Sequence, residues 1–225
     1  YMKLEQLNPT QLANAKQLDY ELQKIGLTNR FLRAGILAVV GKESQFMPVR
    51  ELSWSTTPVS RIRKVFGIWF SGTTDAEIEK LKKDDKAFFN RVYSNHKGLG
   101  NKGGDDGLNF RGWGYNQNTG RANTERIGKA IGVDLINNTQ RVNEPLICAL
   151  SAAYFMRSGI VAFQLAGRFA AHYHISTTKE IKDVKTGAHI AHWCNAGFGI
   201  TPENDPTGGW QVVSRDVESY LQLCK

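Results

Sequence analysis

The stretch RFLRAGILAVVGKESQFMPVRELSW, residues 30–54, decides the fold and frames the chemistry. Its first half is an apolar run that predicts a core helix, and this helix carries Glu43 at its carboxyl end. Glu51 follows eight residues later, in the loop after the helix. Cleavage of a glycosidic bond needs two nearby carboxylates, because one must donate a proton while the other activates water. The spacing therefore makes Glu43 and Glu51 a candidate catalytic pair.

Each glutamate also has an ordinary explanation. A glutamate at a helix end is usually a solvated surface residue, and Glu51, between Arg50 and Leu52, could simply pair with an arginine. A partly apolar surround would keep Glu43 protonated near neutral pH, as an acid catalyst requires. Neither residue identifies a function by itself.

A second informative run, DDGLNFRGWGYNQNTGRAN at residues 105–123, is rich in glycine and side-chain amides. Neutral amides bind sugar hydroxyls, so this run and the glutamates together point to a hydrolase of sugar polymers. The glycines of residues 98–118 exclude a helix and indicate a loop with a short hairpin. Thr119 could instead cap the helix that follows it, and Gln117 and Asn123 could be turn residues.

Helices dominate the rest of the chain. Asn8 and Pro9 open a first helix. Thr28 or Asn29 caps the second, which leads to the first glutamate. Further helices are expected at residues 56–66, 76–83, 86–93, 121–131, 144–157, 161–171, 187–194 and 212–223. The sequence thus predicts one mainly α domain over residues 1–225 with a small irregular β-hairpin element.

The composition is that of an ordinary globular protein. The charge indicates which class of partner the protein binds, and the cysteines indicate the redox compartment in which it is made. The net charge of +8, from 29 Lys and Arg against 21 Asp and Glu, favours anionic partners such as a bacterial wall. The basic residues form no block apart from residues 61–64, so we expect no nucleic-acid partner. Cys148, Cys194 and Cys224 lack CxxC spacing, which argues against a disulfide framework and for synthesis in a reducing compartment.

No membrane segment or leader is expected from the sequence. The apolar run ILAVV at residues 36–40 is too short for a membrane span, no other stretch is expected to reach that length, and we expect no stable membrane insertion. The first residues lack the basic and apolar layout of a signal peptide, and Met2 is expected to be the natural first residue.

Histidines near the C-terminus suggest a metal site as a rival function. They are His172, His174, His189 and His192. The sequence HIAH lacks the internal glutamate of a zinc-protease helix, and only Cys194 is at hand to complete a ligand set. We therefore expect structural or surface histidines, with no metal and no cofactor.

The motifs taken together resemble glycoside hydrolase family 19, a chitinase family that includes many phage endolysins. ESQF (43–46) followed by ELSWS (51–55) resembles the family's two glutamate motifs. RGWGYNQNTGRAN (111–123) resembles R-G-x-G-x-x-Q-x-T/S-G-x-x-N, and residues 90–101 resemble the Asn-x-x-Tyr and Gly-Asn elements of endolysins. A weaker block is NAGFG (195–199), with Arg215 and Tyr220 as the closing Arg and Tyr.

The resemblance implies a fold and a role for each matching residue. The fold would be a lysozyme-like α-helical domain. Glu43 would be the general acid and Glu51 the general base, with Thr119 helping to hold the attacking water. The residues implied to bind the sugar are Gln117, Asn123, Asn195, Tyr93 and Arg215. The reaction would be inverting hydrolysis of a β-1,4 bond next to an N-acetylated sugar.

The chain departs from the family pattern at four positions. Trp113 stands where the family usually has Arg, and Thr124 where it usually has Tyr. Asn116 and Asn118 stand where apolar residues are usual. These positions are expected in the substrate cleft, where they would change substrate preference or activity.

The sequence predicts a monomeric peptidoglycan-degrading glycosidase of the endolysin or muramidase type. The alternatives are a chitinase of the same family and a catalytically impaired glycan-binding protein on the same scaffold. The compact spacing of the glutamates, the basic charge and the lack of a signal peptide or disulfide set favour peptidoglycan. The protein would be made in the cytoplasm and would act on the cell wall, in the periplasm or outside the cell, after lysis, holin release or dedicated secretion.

Overall fold

The computed structural model describes residues 3–196 and 201–225. These residues contain eleven α-helices, and the prediction of a mainly α, lysozyme-like fold is confirmed. The helices are α1 (Pro9–Lys24), α2 (Arg30–Ser44), α3 (Val59–Phe66), α4 (Asp75–Leu81), α5 (Asp85–Tyr93), α6 (Asp106–Asn109), α7 (Arg121–Ile131), α8 (Pro145–Leu165), α9 (Arg168–Tyr173), α10 (Val184–Ala196) and α11 (Gly209–Tyr220). Within the described residues the expected hairpin is reduced to isolated antiparallel bridges, from Arg50 to Trp113 and from Trp113 to Asn118.

The chain divides into two compact units. The first unit comprises Tyr1–Pro48 and Glu144–Lys225, and the second comprises Val49–Asn143. Glu43 belongs to the first unit and Glu51 to the second. That residues 1–225 form one catalytic domain stays a prediction.

Side-chain caps fix the starts of several helices. Asn8 caps α1, as expected, by accepting a hydrogen bond from the Gln11 N–H at 2.9 Å. Asn29, rather than Thr28, caps α2. Thr74 caps α4. Because each cap satisfies an N–H group that has no partner inside its helix, these helix starts follow from the local sequence.

In the first unit, α2 and α10 cross in direct backbone contact. A Cβ on Gly35 would lie 2.6 Å from the Gly187 carbonyl oxygen, and a Cβ on Gly187 would collide with the Phe31 carbonyl. Only glycine permits so close an approach. Glu43 on α2 and Asn195 on α10 each lie eight residues beyond the crossing, and their side chains meet there.

Helix α8 is longer than the sequence patterns suggested. The helices expected at 144–157 and 161–171 are one helix as far as Leu165, and α9 starts after Gly167, which has a φ of 70°. By length and composition α8 could cross a membrane, so the expectation that no stretch reaches that length is wrong. Half of its most apolar 18-residue stretch is buried inside the protein.

An aromatic core holds the second unit together. Its buried members, from α3 to α5, are Val59, Ile62, Phe66, Phe70, Ile78, Phe88, Phe89 and Val92. Phe66 and Phe88 pack edge to face, with ring centroids 5.7 Å apart. Partly buried residues on the surface of this core include Trp54, Trp69 and Tyr93. Burial of these large rings supplies much of the hydrophobic stabilisation of the unit and fixes the three surface rings in place.

The glycine-rich region is a loop interrupted by the short helix α6. The buried Asp106 accepts hydrogen bonds from Arg121 at 2.8 and 2.7 Å and from the Lys102 backbone N–H at 2.7 Å. Gly107 touches the Phe89 backbone so closely that no side chain would fit. The expectation that residues 98–118 exclude any helix is therefore wrong over α6. The buried ion pair and the close backbone packing offset the conformational cost of glycine there.

Candidate active site

Glu51 is held by three neutral hydrogen-bond donors. Its Oε1 accepts from the Trp54 indole N–H at 3.1 Å and from the Tyr93 hydroxyl at 3.2 Å. Its Oε2 accepts from the Gly112 backbone N–H at 3.3 Å. The Glu51 backbone N–H in turn donates to the Gly112 carbonyl at 2.7 Å. Glu51 is thus held in one position as an acceptor, which suits a base that must take a proton from water.

The aromatic core places two of these donors. The Phe66 ring packs against both Trp54 and Tyr93, with ring centroids 4.9 and 5.9 Å apart. Burial raises the pKa of Tyr93 above its usual value near 10, and the charge of Glu51 raises it further. The Tyr93 hydroxyl therefore keeps its proton and remains a donor.

Gly112 leaves room for Gln117 beside the glutamate. A Cβ on Gly112 would lie 2.8 Å from Gln117 Oε1 and 3.5 Å from Glu51 Oε2. Gln117 has a left-handed backbone, with a φ of 51°, and is exposed. Gln117 therefore lies next to Glu51 and remains open to a ligand.

Thr119 and Asn123 connect to this site through the backbone. The Thr119 hydroxyl donates to the Gln117 carbonyl at 3.1 Å, and Asn123 Nδ2 donates to the Thr119 carbonyl at 2.9 Å. Gly120 is the N-cap of α7, without a side-chain hydrogen bond. The alternative that Thr119 is only a helix cap is therefore wrong. Its role in holding water stays a prediction.

Two arginines near Glu51 bond to backbone carbonyls instead of its carboxylate. Arg111 Nε donates to the Glu51 carbonyl at 3.1 Å, and Arg50 donates to the carbonyls of Asn109 at 2.6 Å and Thr139 at 3.3 Å. Burial lowers the pKa of Arg50 to about 10, with a contribution from the charge of Arg111, so Arg50 stays charged at neutral pH. Among the described residues, Glu51 therefore does not serve as an arginine's ion-pair partner.

Glu43, on the last turn of α2, has charged and polar neighbours. Lys42 Nζ lies 2.7 Å from Glu43 Oε1, and Asn195 Nδ2 donates to the same oxygen at 3.2 Å. About a third of the side chain is open to solvent, at 29%. The described neighbours of Glu43 are therefore not the partly apolar surround that an acid catalyst would need. The contact brings Asn195, a predicted sugar-binding residue, next to Glu43, and its sugar-binding role stays a prediction.

A buried pair lies next to Lys42. His192 Nε2 is 2.9 Å from Asp205 Oδ2, and both side chains are almost fully buried. Burial lowers the pKa of His192, and the charge of Lys42 lowers it further, so the neutral ring donates from Nε2 to Asp205. A Cβ on Gly209 would lie 2.6 Å from Lys42 Nζ and 2.9 Å from Asp205 Oδ2. Gly209 thus provides the space that the ammonium occupies.

The turn after Glu43 has an uncommon backbone conformation. Gln45 and Phe46 have left-handed φ values of 53° and 57°. The Phe46 ring is buried against Tyr220, with ring centroids 5.7 Å apart, and its carbonyl accepts from Asn14 Nδ2 at 2.8 Å. The ESQF motif thus anchors its phenylalanine in the core while its glutamate stays accessible.

Arg215, a predicted sugar-binding residue, has an acidic partner on its own helix. On α11 it makes two hydrogen bonds to the neighbouring Asp216, at 2.6 and 2.8 Å, and its side chain is 56% exposed. Its described contacts therefore do not include Glu43 or Asn195. A sugar-binding role for Arg215 stays a prediction.

Three of the four departures from the family pattern are buried. The Trp113 indole N–H donates to Thr124 Oγ1 at 3.0 Å, and neither side chain is exposed. Asn118 is also buried, and its backbone exchanges hydrogen bonds with Trp113 at 3.0 and 2.8 Å. The expectation that Trp113, Asn118 and Thr124 line the substrate cleft is therefore wrong. Because Trp113 and Thr124 touch, their two departures act as one paired change in the interior.

The histidines of α10 have carboxylate partners. His189 lies between the Tyr173 hydroxyl and Glu203, with both contacts at 2.5 Å, while His192 pairs with Asp205. Within residues 3–196 and 201–225, no group of three or more His, Cys, Asp or Glu side chains is placed to hold a metal ion. These contacts give both histidines a structural role.

Sequence reasoning did not assign Trp54, Lys42 or His192 to the site. Trp54 had a signal, because it stands three residues after Glu51 in the same motif. Lys42 directly precedes Glu43 and could have been weighed as its ion-pair partner. His192 had no signal, since its pairing with Asp205, 13 residues away, depends on the folded chain.

Comparison with known proteins adds one relative. No protein-family model matches the chain. A protein of Haemophilus influenzae named as a glycosyl hydrolase family 19 domain-containing protein is 31% identical over 117 residues. The alignment covers 51% of this chain and 56% of that protein, so the chain spans about half the length of the relative. The similarity supports a family related to glycoside hydrolase family 19 at most.

Proposed function

We propose that this protein is a glycosidase that degrades peptidoglycan by inverting hydrolysis of β-1,4 bonds between N-acetylated sugars. Glu51 is the general base: it takes a proton from water while the water oxygen attacks the anomeric carbon. Glu43 is the general acid and gives its proton to the departing glycosidic oxygen. Thr119 helps to hold the water, and the sugar contacts include Gln117, Asn123, Asn195 and Tyr93.

The set of donors on Glu51 is the observation that carries this proposal. Trp54, Tyr93 and the Gly112 N–H hold the carboxylate while Glu51 itself stays half-buried. A general base needs a fixed acceptor that water can reach and that no ion pair consumes. The 31% identity to a protein named for glycosyl hydrolase family 19 supports the same reaction class.

Peptidoglycan is proposed over chitin because of charge. The net charge of +8 would concentrate the protein at an anionic wall, and salt would weaken that attraction. The protein would act there as a monomer on glycan strands, after lysis, holin release or dedicated secretion.

A second candidate is a glycan-binding protein with impaired catalysis, and the Lys42 contact favours it. The Lys42 ammonium lies 2.7 Å from Glu43 Oε1, whereas an acid catalyst must present its carboxyl to the glycosidic oxygen. Under the first proposal, bound substrate must separate Glu43 from Lys42. Under the second, Glu43 stays paired and the protein only binds.

Glu43→Gln separates the two candidates. Wild type and variant are incubated with purified peptidoglycan and with chitin, reducing ends are counted and fragments are identified by mass spectrometry. The first proposal expects wild type to release muropeptides and little from chitin. It also expects the variant to bind equally well but to turn over roughly 10²–10⁴-fold more slowly.

Other outcomes would contradict part of the proposal or identify the bond that is cut. Variant activity above about a tenth of wild type contradicts Glu43 as the acid. Saccharide binding without turnover in wild type favours the second candidate. Chitin oligomers without muropeptides contradict the peptidoglycan assignment. Reducing N-acetylmuramic acid ends identify a muramidase, and reducing N-acetylglucosamine ends a glucosaminidase.

A further inference from the structure

Trp69 packs on the same aromatic core as the two side chains that donate to Glu51, but it makes no described contact with Glu51 itself. It packs on the aromatic core of the second unit together with Trp54 and Tyr93, and all three rings are only partly buried. It belongs to the 3₁₀ turn Gly67–Phe70, which follows α3. Its indole N–H makes no hydrogen bond to any residue that the structure describes. A fixed, half-exposed ring with a free donor is therefore available to a ligand.

His96 extends this surface. The His96 and Trp69 ring centroids are 5.3 Å apart with an interplanar angle of 41°. A Cβ on Gly98 would lie 3.2 Å from His96 Cε1, so the glycine leaves the imidazole its space. The two rings form the Trp69–His96 face, which combines apolar area with ring nitrogens that can form hydrogen bonds.

The Trp69–His96 face adjoins the Glu51 donors. The His96 backbone N–H donates to the Tyr93 carbonyl at 3.0 Å, so His96 lies one turn from the residue whose hydroxyl binds Glu51. Phe66, three residues before Trp69, packs on the Tyr93 ring. The face and the carboxylate thus share one rigid support. A ligand bound to one is positioned relative to the other.

We infer that the Trp69–His96 face is a sugar-binding subsite that extends the proposed active site from Glu51. Its occupant is an N-acetylated sugar ring of the glycan strand, several bonds from the point of cleavage. The apolar face of the sugar lies on the indole, and the ring nitrogens bind a hydroxyl or the acetamido oxygen. This inference rests on the proposed function, because that function supplies the glycan.

A lipid surface is the rival occupant of this face. Ile68, beside Trp69, is 83% exposed, and Arg61 and Lys64 on α3 are exposed as well. Apolar and basic residues together also suit an anionic membrane. The glycan is favoured because the face is continuous with the donors of Glu51 and carries polar ring atoms.

Binding in an inactive background tests the subsite. The Glu43→Gln protein is titrated with chitotetraose by calorimetry, with and without Trp69→Ala, Trp69→Phe or Ile68→Ala. We expect Trp69→Ala to weaken binding roughly tenfold, as loss of a large aromatic contact does. Trp69→Phe should lose less, because it keeps a ring, and Ile68→Ala is the matched control that should bind normally. Circular dichroism confirms folding, and Trp69→Phe decides if Trp69→Ala does not fold.

Turnover separates this inference from the proposed function. In the active protein, Trp69→Ala should raise KM for peptidoglycan roughly tenfold with kcat nearly unchanged. Unchanged affinity and KM overturn the subsite while leaving the glycosidase intact. Binding through Trp69 without any turnover in wild type overturns the glycosidase and keeps the subsite. Equal loss of adsorption to anionic phospholipid vesicles in Trp69→Ala and Ile68→Ala, with chitotetraose binding unchanged, assigns the face to a membrane and overturns the inference.

Discussion

Glu51 is held by neutral donors on an aromatic core, whereas Glu43 is held by a lysine and an asparagine at the end of a helix. Neutral donors fix the position of a carboxylate without neutralising its charge. An ammonium neutralises that charge in an ion pair, and the flexible lysine side chain can leave the pair. The comparison indicates that the neighbours of Glu51 fix the position of its carboxylate, whereas Glu43 is held by an ion pair that can open.

The largest expected effect comes from replacing each glutamate with glutamine. Both Glu51→Gln and Glu43→Gln should lower wall-degrading turnover by roughly 10²–10⁴-fold. Their stabilities should differ. In Glu51→Gln the introduced amide would place an N–H donor against another donor unless the side chain turns, which costs about 1–3 kcal/mol, whereas the exposed Glu43 site tolerates the change. Activity assays and thermal melts of both variants measure this, and equal melting temperatures would contradict the comparison.

A smaller effect is expected at one donor. Tyr93→Phe removes the hydroxyl that binds Glu51 at 3.2 Å but keeps the ring in the core. A hydrogen bond to a charged group contributes about 1.5–3 kcal/mol, so turnover should fall roughly tenfold. Tyr20→Phe, at an exposed tyrosine of the other unit, is the control. Full turnover in Tyr93→Phe would show that the donors do not position the base.

Lys42→Met tests the ion pair between Lys42 and Glu43. Loss of the ammonium 2.7 Å from Glu43 removes the ion pair that holds this carboxyl away from the glycosidic oxygen. Turnover on peptidoglycan should therefore rise roughly a few-fold, since an ion pair of this kind contributes up to about 1 kcal/mol. Lys86→Met, which removes an exposed lysine paired with Asp105, is the matched control. Equal turnover in wild type and Lys42→Met would refute this role.

The smallest expected effect is a pH dependence of stability from His192. Its pKa is lowered in the folded protein by burial and by Lys42, whereas the unfolded residue binds a proton near pH 6.5. Below about pH 6.5 the unfolded state therefore binds more protons, so stability falls as pH falls and is flat above that value. Melting temperatures from pH 5 to 8 should show this drop of a few degrees in wild type and less of it in His192→Gln. His172→Gln, at an exposed histidine, should keep the wild-type slope, and an equal slope in His192→Gln would remove His192 as the cause.

Local sequence accounts for the parts of the fold that depend on neighbours in the chain. The caps at Asn8 and Asn29 and the placement of Glu43 at a helix end were predictable, because each depends on residues within one or two turns. The family resemblance gave Asn195 a role in sugar binding, but nothing in the sequence predicted its contact with Glu43. The contact joins residues 152 positions apart, and it needs two helices to cross.

Packing explains where the sequence reading of the site failed. Trp113 and Thr124 were assigned to the substrate cleft because they differ from the family pattern, yet each fills the space beside the other in the interior. The apolar run before Glu43 faces the core, and the carboxylate at its end meets Lys42, a contact that the sequence analysis did not consider. Side-chain direction at a helix end depends on tertiary contacts that one-dimensional patterns do not contain.

The crossing of α2 and α10 sets the registration between Glu43 and Asn195 without using any side chain. Gly35 and Gly187 touch through their backbones, roughly 12 Å along each helix from the two polar groups, given a rise of about 1.5 Å per residue. An alanine scan removes side chains, so it would report nothing at the residues that govern this distance except damage from an added methyl group. In a directed-evolution experiment the same two positions should remain glycine. Any larger residue would push the two helices apart and so displace Glu43 from Asn195.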